Sequence, residues 1–138
     1  MVAFSFSEIK IGQKAEIKRI ISDEDIRKFA EISGDRNPIH LDEEFAKKTF
    51  FQGRIAHGMF SAALISAVLA NKLPGPGSIY LKQEIRFIKP IRIGDTILVT
   101  VEVIKKEDEK ERVILRTSCI NQHTELVVDG EATVMLPD

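Results

Sequence analysis

The chain has 138 residues, a length that fits one domain, 1–138, with enough buried surface for a core that needs no disulfide or metal staple. Hydrophobic residues make up 43% of it and charged residues 30%, which excludes a disordered chain, a collagen-like chain and a disulfide scaffold. The 20 basic and 21 acidic residues leave a net charge of −1, so no general attraction draws the chain to nucleic acid or to an anionic membrane.

The N-terminus, Met1 to Lys10, lacks a basic segment followed by an apolar one, and no signal peptide is expected there. Lys14 to Ile21 places Ala15, Ile17, Arg19 and Ile21 on one alternating set and predicts a short strand. Ser22 is an N-cap, with Asp25 three residues on and Asp23, Glu24 and Asp25 in the first turn. Ile26, Phe29, Ala30 and Ser33 follow at helical spacing, and Gly34 stops the helix. The stretch from Asp35 to His40 reads as an irregular loop, because Pro38 biases Asn37 away from helix. Asp42 caps a short helix over Glu43 to Thr49, and Phe50 to Arg54 is a second loop.

His57 to Lys72 is the central helix candidate, without a charge before its last residue and expected to be surrounded by protein on most sides. The charge-free stretch Ile55 to Asn71 is shorter than the ~20 residues that cross a membrane. Leu73-Pro74-Gly75-Pro76-Gly77 ends the helix. Four alternating apolar sets follow. They run Ile79 to Phe87, Ile97 to Val103, Val113 to Cys119 and Leu126 to Leu136, separated by Lys89-Pro90 with Gly94-Asp95, by Lys106 to Lys110, and by Asn121 to His123. Four strands in succession predict an antiparallel meander. The economical way to cover both sheet and apolar helix is an α+β, hot-dog arrangement: a curved antiparallel five-stranded sheet wrapped around the helix. One copy leaves a sheet edge and part of the helix uncovered, which predicts a homodimer or a dimer-based oligomer.

Two clusters carry the chemistry. Gly34-Asp35-Arg36-Asn37-Pro38-Ile39-His40-Leu41-Asp42 holds a carboxylate and an imidazole five residues apart. Such a pair held close can share a water and move its proton. The same residues also suit an Asx-type turn with His40 on the surface. Gly53-Arg54-Ile55-Ala56-His57-Gly58-Met59 lies at the start of the apolar helix, where N–H groups are unpaired and the helix carries partial positive charge. A carbonyl gaining negative charge would be stabilised there, and Gly58 lets it approach the backbone. Gly58 equally suits helix–sheet packing, and His57 suits capping or a satisfied buried histidine.

Together the clusters resemble the MaoC-like family of (R)-specific enoyl-CoA hydratases. The resemblance rests on Gly34 to Asp42 and on Ala56-His57-Gly58-Met59. It continues through Leu73-Pro74-Gly75, Gly77-Ser78-Ile79-Tyr80, Phe87, Pro90 and Gly94-Asp95, and spans about Ile11 to Pro137. It implies Asp35 and His40 as the catalytic pair, with Asp35 as base on water and His40 orienting the water and donating a proton at C2. It implies Gly58 as the backbone donor to the thioester carbonyl, Asn37 as a loop-shaping residue at the substrate site, and Ser66 as a polar residue facing it. Leu69 and Val134 are implied to border the acyl pocket. It further implies an acyl-CoA thioester substrate, no metal, no cofactor, and no nucleic-acid or membrane partner.

Other readings have clear discriminators. A hot-dog acyl-CoA thioesterase would release thiol from crotonyl-CoA, and a non-catalytic acyl-CoA-binding module would bind it without turnover. A zinc site from Asp35, His40 and His57 lacks paired Cys–His spacing. Lys82, Arg86 and Lys89 are candidates for the CoA phosphates or plain surface cations. Cys119 cannot form an intrachain disulfide and reads as a small buried hydrophobe; a reducing cytoplasm is the simplest compartment for it.

Overall fold

The computed structural model describes residues 1–136; Pro137, the last residue of the resemblance, lies outside them. Strand β1 (Lys14–Ile20) leads into helix α1 (Asp23–Ser33). Ser22 and Asp25 form the capping box, and Gly34 takes the left-handed conformation at φ 79° that ends the helix. Two single turns follow, α2 (Pro38–Leu41) and α3 (Glu43–Ala46), and then the long helix α4 (Gly58–Asn71). The remaining strands are β2 (Ile79–Phe87), β3 (Thr96–Glu107), β4 (Arg112–Ile120) and β5 (Leu126–Met135).

All five strands form one antiparallel sheet in the order β1-β3-β4-β5-β2, curved around α4 in the hot-dog arrangement. Leu64, Ile65, Val68 and Leu69 of α4 are buried in one cluster with Val99, Val101, Leu115 and Val134 of the sheet. Each such side chain contributes about 1.5–3 kcal/mol by leaving water. No helix among the described residues is long and apolar enough to cross a membrane.

The four-strand meander requires correction. β3, β4 and β5 are joined as hairpins, but β2 pairs with β5 and not with β3. The reason lies in residues 88–95. Pro90 has no N–H to give a ladder, so a tight hairpin is disfavoured there. Instead Ile88 N–H donates to the Val127 carbonyl (2.8 Å), and Ile91 accepts from Ala56 N–H (2.8 Å). At the far end, Gly94 N–H donates to Ile21 O (2.7 Å) and Ile21 N–H to Asp95 O (2.9 Å), which sets β3 beside β1. β2 can approach β5 closely because residue 130 is glycine: a Cβ there would lie 2.0 Å from the Glu84 carbonyl oxygen.

Three further expectations shift. The segment expected as an irregular loop contains α2, because Asn37 caps it and Pro38 supplies a pre-set φ at its first position. The short helix after Asp42 ends at Ala46 and not Thr49. Finally, α4 is not surrounded within one chain: Met59, Ala63 and Ala70 are exposed along one side.

Candidate active site

The loop after α1 is held by its own side chains. Asp35 N–H donates to Ser33 Oγ (3.1 Å), and Asn37 N–H donates to Asp35 Oδ1 (3.2 Å). Ile39 N–H donates to Asn37 Oδ1 (3.1 Å), so Asn37 shapes the loop as well as capping α2. The Asx-type turn is therefore present, and it fixes an exposed carboxylate at the loop's surface.

His40 is not a surface residue; it is buried. Its Nδ1 lies 2.8 Å from the Ile55 carbonyl. A carbonyl only accepts, so Nδ1 carries the proton, and in the neutral ring Nε2 is left as an acceptor. Burial pushes the His40 pKa below the ordinary histidine value, the second imidazole opposes its charging too, and the Ile55 bond and Asp35 oppose that shift only in part. The neighbouring segment is tied down as well. Arg54 Nε donates to the His40 carbonyl (2.7 Å), while its guanidinium pairs with Asp23.

His57 precedes α4, but its side chain does not cap the helix. Its Nε2 donates to the Asp35 backbone carbonyl (3.0 Å), and its ring stacks on His40, with centroids 3.9 Å apart and planes 27° from parallel. One carboxylate oxygen of Asp35 and one nitrogen of each histidine lie within 4.8 Å of one another. The donor types suit zinc, but each imidazole binds an ion in its own ring plane, and planes stacked 3.9 Å apart at 27° do not meet at a point ~2.0–2.1 Å from both nitrogens.

Beside the trio opens a cavity of about 520 Å³. Asp35, His57 and Gly58 line it together with apolar groups from Phe51, Ile55, Met59, Phe87, Ile91 and Val128. Gly58 is the first residue of the 14-residue α4, so its N–H belongs to the set without an intrahelical partner. A Cβ on Gly58 would lie 2.8 Å from the Phe87 ring, so the glycine also lets β2 close over the helix start. A charged depression over β2, β4 and β5 is larger, about 710 Å³, but its Arg86 and Arg116 are paired with Asp129.

The structure brings Asp35 beside His40 and sets Asp35 and Gly58 on the cavity wall, while His40 and Asn37 do not line the cavity. Ser66, Leu69 and Val134 do not line the cavity. Ser66 is half-buried, and Leu69 and Val134 sit in the core. They lie deeper along the same two surfaces: Ser61, Ile65 and Leu69 follow one another at i+4 on α4, and Val128, Ala132 and Val134 alternate inward on β5. Arg86 is engaged by Asp129 and Lys89 by Glu125, and Lys89 alone of the three candidate cations lines the cavity. Cys119 is buried, with its thiol pushed up to about 12. By sequence alone His57 suits capping or a satisfied buried histidine, and its adjacency to Gly58 is the one signal of a larger part.

A model of the MaoC-like domain matches residues 5–123. The chain belongs to the MaoC-like domain family. As a MaoC-like domain it is 48% identical over 137 residues to the (R)-specific enoyl-CoA hydratase of Rhodospirillum rubrum, covering 99% of this chain and 94% of that protein. It is also 48% identical to the 3-hydroxybutyryl-CoA dehydratase of Methylorubrum extorquens, covering 96% and 83%. Among solved structures, the unliganded R-hydratase PhaJ1 of Pseudomonas aeruginosa superposes with a TM-score of 0.91 at 50% identity, covering 97% and 86%.

Proposed function

We propose that this protein is an (R)-specific enoyl-CoA hydratase, adding water reversibly to trans-2-enoyl-CoA to give (R)-3-hydroxyacyl-CoA. The observation that carries the reading is the Asp35 carboxylate held within 4.8 Å of two imidazoles beside an apolar cavity that the start of α4 faces. The (R) configuration and the CoA carrier come from the names of the relatives.

The enoyl thioester is electrophilic at C3. Its acyl chain lies in the cavity, and its carbonyl oxygen takes the Gly58 N–H. Water donates one hydrogen to the Asp35 carboxylate and the other to His40 Nε2, which leaves its lone pair for C3. As the C3–O bond forms, the proton passes to Asp35 and the π electrons move through C2 onto the thioester oxygen. Gly58 N–H and the positive end of α4 stabilise that charge. The electrons then return, and the proton held by Asp35 is delivered to C2. His40 holds the water and does not begin as the proton donor, because its Nδ1 proton is engaged by Ile55 and burial disfavours a second one. Asn37 acts through the loop, and Leu69 and Val134 close the far end of the acyl path.

The single-domain protomer works as a homodimer. β2 is an edge strand, and Ile79, Tyr80 and Leu81 on it are exposed beside the open side of α4 at Met59. A second copy of the same surface would cover both. In the cytoplasm the buried Cys119 stays a reduced thiol.

Incubation with crotonyl-CoA tests the reading. Loss of the enoyl-thioester absorbance without thiol release is the expected result. Thiol release would replace it with a thioesterase, and tight binding without turnover with a binding module.

A further inference from the structure

His57 is 2% exposed, yet it is a polar ring set among apolar neighbours, with Phe29 at 5.0 Å between ring centroids. Its Nδ1 is buried and has no hydrogen-bond partner. A phenylalanine or leucine would fill such a place without leaving an acceptor unpaired. Natural structures keep few such groups, and where local rules are broken the site is commonly functional. The one polar bond that His57 makes with its side chain is to the backbone carbonyl of Asp35, 22 residues earlier. One ring face lies on His40, and its own backbone leads directly into Gly58.

We propose that His57 is a positioning residue for the hydration reaction: its Nε2–H bond to the Asp35 carbonyl and its stack on His40 join the base, the water-holding imidazole and the Gly58 donor into one rigid unit. The role rests on the hydratase reading for its reaction, though not for its geometry. Among the described residues, the side-chain bonds that otherwise hold Asp35 and Asn37 span two to four residues, within the loop and to the end of α1, and the ties to Ile55 and Arg54 begin only at Ile39 and His40. Those ties lie four and five residues beyond Asp35, so the His57 bond is the long-range contact made to the Asp35 carbonyl itself, over the start of α4. Small displacements of a reacting group are costly in rate, while apolar binding of the acyl chain tolerates them. The effect therefore belongs on kcat and not on KM.

Two variants of similar length separate the bond from the volume. His57→Gln keeps an N–H donor at the Nε2 position, and His57→Met does not. With crotonyl-CoA, His57→Met is expected to lose about 30-fold or more in kcat, with KM within about threefold, and His57→Gln to stay within about fivefold of the parent. Amide hydrogen exchange over residues 35–41 is expected to quicken in His57→Met and not in His57→Gln. If His57→Met does not fold, His57→Asn replaces it, since its amide sits at the Nδ1 position and falls short of the Asp35 carbonyl. Equal kcat in the donor and non-donor variants, or equal exchange in both, overturns the proposal. A parent protein that fails to hydrate crotonyl-CoA overturns the hydratase reading instead, and the exchange measurement still decides the positioning role.

Discussion

His40 donates its Nδ1 proton to the Ile55 carbonyl across 2.8 Å, a bond from the α2 turn to the segment before α4, 15 residues away in the chain. This bond leaves Nε2 as the nitrogen free to meet water in the proposed reaction, which uses the neutral imidazole. Because burial lowers the His40 pKa, the neutral form persists to more acidic pH than for an exposed histidine near ~6.5. Activity is present above the folded-state pKa and is lost as pH falls through it. A pH profile of kcat/KM with crotonyl-CoA is expected to show its histidine limb below the ordinary histidine value. A limb above that value would mean that the protonated ring is the active form.

Asp35 and His40 both touch the water in the proposed reaction. Asp35→Asn removes the base, and His40→Gln removes the ring acceptor. Each is expected to lower kcat by about 10² or more. Circular dichroism and thermal melting should show the fold retained, since the Asp35 side chain is exposed and His40 lies on a one-turn helix at the surface of the core. Near-native turnover in both variants would remove the pair from the mechanism.

Leu69 lies two helical turns beyond Ser61, which lines the cavity, and on the same stripe of α4. Leu69→Ala is expected to lengthen the acyl path toward Val134. Each added methylene of substrate buried there is worth about 0.8 kcal/mol, so kcat/KM for a C8 enoyl-CoA should rise several-fold relative to C4. The same change removes a side chain that is 2% exposed and should cost about 2–5 kcal/mol of stability. Rates must therefore be normalised to folded protein. An unchanged C8-to-C4 ratio in folded Leu69→Ala places Leu69 outside the pocket.

The β2 edge and the open side of α4 set the expected assembly. Sedimentation equilibrium should give about 31 kDa or a multiple of it, from a chain of 15.5 kDa. Leu81→Lys places a charge on the exposed edge and should shift the equilibrium toward monomer. A parent protein that is monomeric and fully active would count against a dimer.

Much of this molecule is written in short-range patterns. The Ser22–Asp25 capping box, the stop at Gly34 and the Asp35–Asn37–Ile39 turn are bonds over two to four residues, so the local sequence suffices to place them. The uninterrupted apolar run of α4 likewise announces a helix held by a sheet, and the Asp–x4–His loop with His-Gly at a helix start marks the candidate site. The partner of β2 was not legible, because alternation identifies a strand and its faces but not its neighbour. That choice depends on where residues 88–95 find bonds, at Val127, Ala56 and Ile21, all distant in the chain. The tautomer of His40 and the part played by His57 were hidden for the same reason. Each is set by a carbonyl 15 or 22 residues away, and only the packing of the two loops over α4 brings those carbonyls within hydrogen-bond reach.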